Sequence, residues 1–499
     1  MGIILKQSVK GTVYVYLGVI LGFLTTGIFL PRIYSTEQVG LLKILVAYSS
    51  LIASFGTLGI NGVTIRLFPF FKDEQSKHHG YLVNILLVGA VGFIISASLI
   101  VALKPWISSI SAEKSNLFLE YINYLIILVF FQIFFSLLDA YYSSLLNSVH
   151  GTYLKEIFQR ILIILSIGLF YYDILNFHLF LIFYIVAISA PTIYIIYTLI
   201  QKKQFSLHTD FGFINRELLK SMSSMSLFGI LNGFSLIIIQ NVDIIMINSM
   251  VGLGATGIYS ICFFFGIVVS LPSRSILKIA NVITAQAWKE NDIKIISDIY
   301  NKSCLTLYII GLFIFIGIWG NIENIFKIIG TEYIQGKWVV FFIGISSLID
   351  MITGANGIII GTSKYYKAQT GFMLILVILI VVTNLILIPK FGVTGAAIGS
   401  TISLTFLNII RYLFLFYIFK LQPFNMKFVI ISLIGTGSYF ICSLLPSIQN
   451  YLIDILTRST ILLILYCLPI YLLNISEDIN SITNGILKLV GKTIKNTKN

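Results

Sequence analysis

Long apolar runs, each of the length that crosses a membrane as a helix, recur from one end of this 499-residue chain to the other. Hydrophobic residues make up 57% of the sequence, charged residues only 11%, and the mean hydropathy is +0.96. A helix needs about 20 consecutive apolar residues to span the bilayer core. The sequence therefore predicts an all-α polytopic membrane protein. Its fourteen predicted spans cover residues 11–30, 40–60, 81–103, 118–146, 157–175, 178–200, 222–248, 254–280, 303–320, 338–360, 369–388, 395–418, 427–445 and 455–474.

The distribution of Lys and Arg predicts the orientation of these spans, because cytoplasmic loops retain positive charge. If the N-terminus is inside, 25 of the 33 Lys and Arg residues fall in inside segments and 7 in outside loops. Both termini are therefore predicted to be cytoplasmic. The formal net charge of +13 then faces anionic lipid headgroups and gives no reason to expect a nucleic-acid partner.

Several function classes lack the residues that their chemistry needs. The longest outside loops, 104–117 and 321–337, are too short to fold into the hydrophilic site of a sugar polymerase or ligase. The tail sequence GILKLVGKT at 485–493 resembles a phosphate-binding loop but has five residues where that motif has four. The four cysteines show no metal or redox spacing. The sequence thus predicts no enzymatic activity, no cofactor and no metal site.

A short repeat predicts two pseudo-symmetric halves. The sequence SLLD at 136–139 precedes GTY at 151–153, and SLID at 347–350 precedes GTS at 361–363. The copies lie in the fourth and tenth predicted spans, so the two halves share one topology. We expect two six-helix lobes that face each other across a cavity, as in an alternating-access carrier. The expected divisions are the lobes 1–205 and 206–421, two further helices in 422–475, and a basic amphipathic cytoplasmic tail in 476–499.

Three stretches resemble one family of membrane carriers: LPRIYSTEQVGLLKI at 30–44, NVDIIMINSMVGLGATGIYS at 241–260 and LIPKFGVTGAAIGSTIS at 387–403. They are similar to the polysaccharide transporter family of the multidrug/oligosaccharidyl-lipid/polysaccharide exporter superfamily, which includes O-antigen and capsule flippases. The resemblance implies transfer of an undecaprenyl-diphosphate-linked oligosaccharide across the bacterial inner membrane, coupled to an ion gradient. It also implies that the first, second, seventh and eighth helices face the cavity, and that a polysaccharide polymerase and chain-length machinery are partners.

Polar residues follow one face of the second predicted span. A spacing of 4, 3, 4, 3 and 4 residues places them on one side of a helix, and a polar face is disfavoured in lipid. The members of this stripe are Lys43, Ala47, Ser50, Ser54, Thr57 and Asn61. Sparser versions carry Ser260, Arg274 and Lys278 on the eighth predicted span, and Thr401, Thr405, Asn408 and Arg411 on the twelfth.

The basic residues on or beside these faces suit a diphosphate, which guanidinium and ammonium groups bind well. Arg66, Arg274, Lys278 and Arg411 lie toward predicted cytoplasmic ends, where we expect a basic vestibule. Lys43 lies toward the predicted outer end of its span and forms a further step on the path. The alternative is that these side chains merely extend to lipid headgroups. That alternative is weakest for Lys43, which belongs to a continuous polar stripe.

Three carboxylates lie within predicted spans: Asp139, Asp243 and Asp350. A buried carboxylate either stays protonated or finds a partner. These residues therefore either take up a proton or sodium ion during transport or link helices through hydrogen bonds. Matching positions in the two halves favour helix linking for Asp139 and Asp350, whereas both roles stay open for Asp243.

Two other functions fit parts of the sequence. A cation-coupled multidrug exporter of the same superfamily would share the architecture, but the basic faces favour an anionic substrate. A membrane-embedded sugar polymerase or ligase belongs to a different class, and no outside loop gathers the residues that its site would need.

Overall fold

The computed structural model describes residues 3–111, 115–145, 149–213, 215–481 and residue 484, and these residues form helices and turns without a strand. The phosphate-loop-like segment 485–493 and most of the predicted tail 476–499 lie outside the described residues. Two compact units result: unit 1 comprises Met1–Ile261 and Asn384–Val393, and unit 2 comprises Cys262–Thr383 and Thr394–Asn499. The lobes predicted from the repeat stay a prediction, because these units group helices by contact and not by repeat.

Twenty α-helices follow one another along the described residues. The first eleven are α1 (Ile3–Gly22), α2 (Leu30–Ile33), α3 (Thr36–Gly56), α4 (Ile60–Phe71), α5 (Tyr81–Ser111), α6 (Asn116–Tyr121), α7 (Tyr124–Ser144), α8 (His150–Tyr153), α9 (Gln159–Tyr171), α10 (Phe177–Gln201) and α11 (Arg216–Met250). The others are α12 (Leu253–Ile267), α13 (Ser273–Glu290), α14 (Ile293–Gly320), α15 (Ile322–Ile329), α16 (Lys337–Ile352), α17 (Asn356–Thr362), α18 (Tyr366–Phe419), α19 (Met426–Ser443) and α20 (Tyr451–Leu472).

Local sequence explains where key helices begin. Ser35 and Gln38 form a capping box at the start of α3: Gln38 N donates to Ser35 Oγ over 3.2 Å, and Ser35 N donates to Gln38 Oε1 over 3.1 Å. Such a box satisfies backbone donors that have no partner inside the helix. Asn176 caps α10 and Asn215 caps α11 in a similar way. These polar caps start the spans at defined residues.

Twelve helical stretches of the described residues are long and apolar enough to cross a membrane. The protein is therefore a multi-pass membrane protein, although this number does not confirm the predicted fourteen. The predicted span 157–175 overlaps the end of a π-helical turn at Leu154–Phe158 and the whole of α9. The predicted spans 369–388 and 395–418 both fall within α18.

A glycine divides α18 into two parts. A straight helix of 54 residues would be about 80 Å long at 1.5 Å per residue, far more than the roughly 30 Å of a bilayer core. Gly392 adopts φ 56° and ψ −134°, and Pro389 lies just before it. Residues with a Cβ disfavour this backbone conformation. The turn predicted between the two spans therefore occurs, without a loop.

Three spans predicted as continuous helices are interrupted by backbone turns in the structure. The second ends with α3 because Leu58 and Gly59 have positive φ, and α4 follows. The eighth, predicted as 254–280, ends near Ser270 and Pro272, and α13 is a separate helix. The tenth breaks at Gly354, where φ is 56°. Backbone turns inside apolar sequence leave hydropathy unchanged, so hydropathy alone missed them.

Each unit has a buried interior that holds its helices together. In unit 1, α3 contacts α5, α7 and α11, and Gln132 Nε2 of α7 donates to Ser49 Oγ of α3 over 2.9 Å. In unit 2, α14 contacts α13, α16, α19 and α20. Its Tyr300 is fully buried, and Tyr466 of α20 donates its hydroxyl to the Ile309 carbonyl over 2.9 Å.

Candidate functional site

Lys43 lies on α3 near Arg160, which forms an ion pair with Glu156. Its side chain is half-buried, and its Nζ lies 3.5 Å from Thr26 Oγ1. Arg160 Nη2 donates to Glu156 Oε2 over 2.8 Å, and less than a third of either side chain is exposed. The Lys43 ammonium interacts electrostatically with the Arg160 guanidinium. Lys43, Glu156 and Arg160, called the basic cluster below, carry two positive charges and one negative charge.

Unusual helix geometry occurs on both helices beside the basic cluster. A π-helical segment, Phe23–Phe29, follows α1, and another, Leu154–Phe158, precedes α9. Such segments are rare and are frequent at functional sites. Gly22 gives Arg160 the space to approach, since a Cβ on Gly22 would lie 1.8 Å from Arg160 Nη1. A side chain at residue 22 would therefore force Arg160 to move.

Glu156 and Arg160 were not among the residues predicted from the sequence. The fifth predicted span starts at 157, which leaves Glu156 in a loop, whereas helical backbone begins at His150. The available signal was the four-residue spacing of the two charges, which pairs them on one helical face. The proximity of Arg160 to Lys43 is a tertiary contact that no local pattern encodes.

The rest of the predicted polar stripe lies on two helices. Ser50 and Ser54 are half-buried on α3, and Thr57 donates its hydroxyl to the Ser54 carbonyl over 2.9 Å. Asn61 lies on α4, beyond the break at 58–59, and its Nδ2 donates to Ser136 Oγ over 2.6 Å. The single continuous face predicted for all six residues is thus wrong, and Asn61 connects α4 to α7.

The expected vestibule residues Arg66, Arg274 and Lys278 are exposed and have no ion-pair partner among the described residues. Arg66 lies on α4, while Arg274 and Lys278 lie on α13. Ser260 is on α12, where its hydroxyl donates to the Thr256 carbonyl over 2.7 Å. The eighth-span face predicted for Ser260, Arg274 and Lys278 is therefore divided between two helices.

Arg411 differs from these exposed cations because only 8% of it is exposed. Its Nε donates to Gln369 Oε1 over 3.2 Å, and its charge interacts with the Asp350 carboxylate. Asn408, also buried, donates from Nδ2 to Asp350 Oδ1 over 3.3 Å. Asn408 Oδ1 in turn accepts from Thr353 Oγ1 over 3.1 Å. Protein groups thus surround the Arg411 guanidinium, which a diphosphate could reach only after rearrangement.

Asp139 occupies the matching position of the first repeat. Its charge interacts with Lys155, whose Nζ also lies 4.5 Å from the centre of the Phe135 ring. Asp139 Oδ1 is buried without a hydrogen-bond partner among the described residues. The carboxylate packs so closely on Gly151 that a Cβ there would lie 1.9 Å from Oδ1. Each repeat therefore sets its aspartate near a basic residue, but the base comes from a different helix in each.

Asp243 lies at a junction of the seventh, eighth and eleventh predicted spans. It is 6% exposed and accepts a hydrogen bond from the Tyr259 hydroxyl over 2.5 Å and one from Asn384 Nδ2 over 2.7 Å. All three residues belong to unit 1. Close backbone packing joins the same region to α3, because a Cβ on Gly40 would lie 2.0 Å from the Leu253 carbonyl oxygen. In this structure Asp243 links helices.

Comparisons with known proteins agree on a family and on a fold. The sequence model of the family described as polysaccharide biosynthesis protein matches residues 5–283, more than half of the chain. An uncharacterised membrane protein of Methanocaldococcus jannaschii is 21% identical over 471 residues, which cover 90% of this chain and 92% of that protein.

Two solved structures resemble this one across most of the chain. The lipid II flippase MurJ in an inward closed conformation superposes with a TM-score of 0.72 at 15% identity, covering 93% of this chain and 99% of that one. An inward-facing multidrug resistance MATE family transporter of the MOP superfamily gives 0.60 at 14% identity, covering 81% and 97%. The fold expected from the three quoted stretches is therefore confirmed.

Proposed function

Because the chain belongs to the polysaccharide biosynthesis protein family, we propose that it is a flippase for lipid-linked oligosaccharides. It carries undecaprenyl-diphosphate-linked units from the inner to the outer leaflet of the bacterial inner membrane, for O-antigen or capsule synthesis. Both termini face the cytoplasm, as the Lys and Arg asymmetry predicts. The observation that supports this proposal most is the basic cluster, which places two cations against one carboxylate on apolar helices.

An unbalanced positive charge inside a membrane protein is costly and marks a site for a partner of opposite charge. A diphosphate supplies that charge, and a guanidinium fork binds phosphate oxygens through paired hydrogen bonds. Glu156 holds Arg160 when no substrate is present. On binding, the diphosphate replaces Glu156 as the acceptor, and Lys43 contributes the second charge. The lipid tail stays in the bilayer throughout.

The exposed cations Arg66, Arg274 and Lys278 serve as the cytoplasmic entry in this mechanism. Their guanidinium and ammonium groups attract the headgroup before it reaches Lys43. Arg411 joins the path in a different conformation, in which the substrate takes the place of Asp350 as its counter-charge. The polar residues Ser50, Ser54, Thr57, Asn61, Ser260 and Asn408 line the route of the sugar.

An ion gradient drives the cycle, and Asp139, Asp243 and Asp350 are the groups available to respond to it. Asp243 accepts one hydrogen bond from the Tyr259 hydroxyl and one from Asn384 Nδ2, and both donors are neutral. Asp139 and Asp350 each interact with a cation of their own unit. Replacement of each aspartate by asparagine separates the roles, since a helix link survives in the amide whereas ion uptake does not.

A cation-coupled multidrug exporter is the second candidate, and the shared fold with a MATE family transporter favours it. A site for cationic drugs would carry net negative charge, whereas the basic cluster carries net positive charge. The sign of this charge supports the flippase over the drug exporter.

The fate of lipid-linked sugar in cells that lack this protein tests the proposal, with glycosidase access reporting the leaflet. We expect diphosphate-linked units to accumulate on the cytoplasmic side while surface polysaccharide disappears. Units that reach the outer leaflet but stay unpolymerised would show that the protein acts after translocation. In complemented cells, Lys43→Ala should abolish export. The control Lys302→Ala removes an exposed lysine paired with Asp298 and should export normally.

A further inference from the structure

A separate polar cavity lies within unit 2 and is lined by none of the residues assigned above. Its volume is about 240 Å³, and the end of α14, α15, α19 and α20 form its walls. Sites for drug-sized ligands have volumes of about 300–1,000 Å³. The cavity therefore suits one small polar group of a larger ligand.

A network of charged and amide groups holds one wall of the cavity in place. Arg458 Nε donates to Asp454 Oδ2 over 2.8 Å, and Asn324 Nδ2 donates to the same oxygen over 2.5 Å. Arg458 Nη1 also donates to the Cys442 carbonyl over 3.2 Å. The contacts join α15, α19 and α20. The groups of this wall therefore already have partners within the protein and hold the wall in a fixed shape.

Other lining groups keep unused binding capacity. Asn321 is 5% exposed, and its Oδ1 has no hydrogen-bond partner in the described part of the chain, although its Nδ2 donates to the Gly317 carbonyl over 2.9 Å. A buried acceptor of this kind is unfavourable until a donor reaches it. Lys327 is exposed and makes no ion pair within the described residues. The cavity lining thus contains a buried acceptor without a partner among the described residues and a lysine without an ion pair among them.

Aromatic rings complete the lining. Trp319 is half-buried and fixed by Phe341, with 4.8 Å between ring centroids. Tyr439 is also half-buried and lines the cavity from α19. Such rings combine apolar surface with a polar edge. A sugar matches this lining. Its hydroxyl groups both donate and accept hydrogen bonds, and its ring has apolar C–H faces.

We propose that this cavity binds a single sugar ring of the exported glycan. Asn321 Oδ1 accepts from a sugar hydroxyl, Lys327 donates to a ring oxygen or hydroxyl, and Trp319 and Tyr439 contact the C–H faces. The choice of a sugar, rather than another polyhydroxylated ligand, rests on the proposed flippase function. The loop 321–337 and the turn between α19 and α20 are both predicted to face outward, so the cavity holds the glycan on the outer side.

Titration of the purified full-length protein in detergent tests the proposal. The probes are free glucose, N-acetylglucosamine and glucuronic acid, and tryptophan fluorescence is the readout because Trp319 lines the cavity. At least one sugar should give a saturable change. Lys327→Ala and Tyr439→Ala should each raise its dissociation constant about tenfold. Lys367→Ala, which removes another exposed lysine, should leave it unchanged.

Three results would overturn the proposal: no saturable change with any of the three sugars, a change that both cavity variants retain, or equal binding of inorganic phosphate that displaces the sugar. The last would identify a site for an anionic headgroup. The assay requires no transport, so the two proposals fail separately. Loss of sugar binding with intact export rejects the cavity site alone, and intact sugar binding without export rejects the flippase alone.

Discussion

Replacing Asp454 with alanine should destabilise the protein strongly, because it leaves a buried guanidinium without its counter-charge. The side chains of Asp454 and Arg458 are only 5% and 12% exposed. Besides Arg458 and Asn324, the carboxylate accepts from the Ile448 amide over 3.1 Å. Removal of one partner from a buried ion pair costs about 3–5 kcal/mol. With an unfolding entropy of about 2.1 cal/mol/K per residue over 499 residues, the melting temperature should fall by about 3–5 °C.

A thiol-reactive fluorophore can follow the melting of the detergent-solubilised protein, since Cys262, Cys304 and Cys442 are buried and react only on unfolding. The matched control is Asp298→Ala, which breaks an exposed ion pair that contributes little to stability. The double variant Asp454→Leu with Arg458→Leu removes both charges and should recover most of the loss. The reasoning is refuted if Asp454→Ala melts like the control, or if the double variant is less stable than Asp454→Ala.

The same melting assay serves three further predictions. Gly392→Ala puts a Cβ on a residue with φ 56° and ψ −134° and should cost about 1–3 kcal/mol. Its control is Gly437→Ala, where a Cβ meets open space, and equal melting of the two variants would contradict the strain argument. Gly40→Ala places a Cβ against a carbonyl of α12 and should cost about 1–3 kcal/mol of stability. Unchanged melting would show that the two helices can move apart without a loss of stability. Asp350→Ala should be less stable than the double variant with Arg411→Leu, and the opposite order would show that Arg411 does not depend on Asp350.

The membrane architecture was predictable because hydropathy reports burial in lipid directly, and most residues of the predicted spans lie in helices of the structure. Backbone turns inside apolar sequence were not predictable. Leu58 adopts φ 48° although nothing in its side chain favours a left-handed conformation. The break before α13 lies at Pro272, and α13 begins at the next residue. From sequence alone, a proline fits the start of a helix and a kink inside a helix equally well.

The residues of the candidate site were likewise predictable only in part. Lys43 was identified because its helix face repeats polar residues at helical intervals, a property of local sequence. Arg160 depends on space left by Gly22 of another helix, and Asp243 depends on Tyr259 and Asn384, which lie 16 and 141 residues away. Contacts across such separations leave no periodic pattern in a single sequence.

Gly392 lies next to one of the covalent links between the two units. The chain passes between the units at Ile261–Cys262, at Thr383–Asn384 and at Val393–Thr394. The first two passages lie inside α12 and α18, where bending breaks backbone hydrogen bonds. The third lies beside Gly392, which has non-helical torsions and no Cβ to restrict them. Of the three covalent links between the units, the one beside Gly392 therefore has the least restricted backbone torsions.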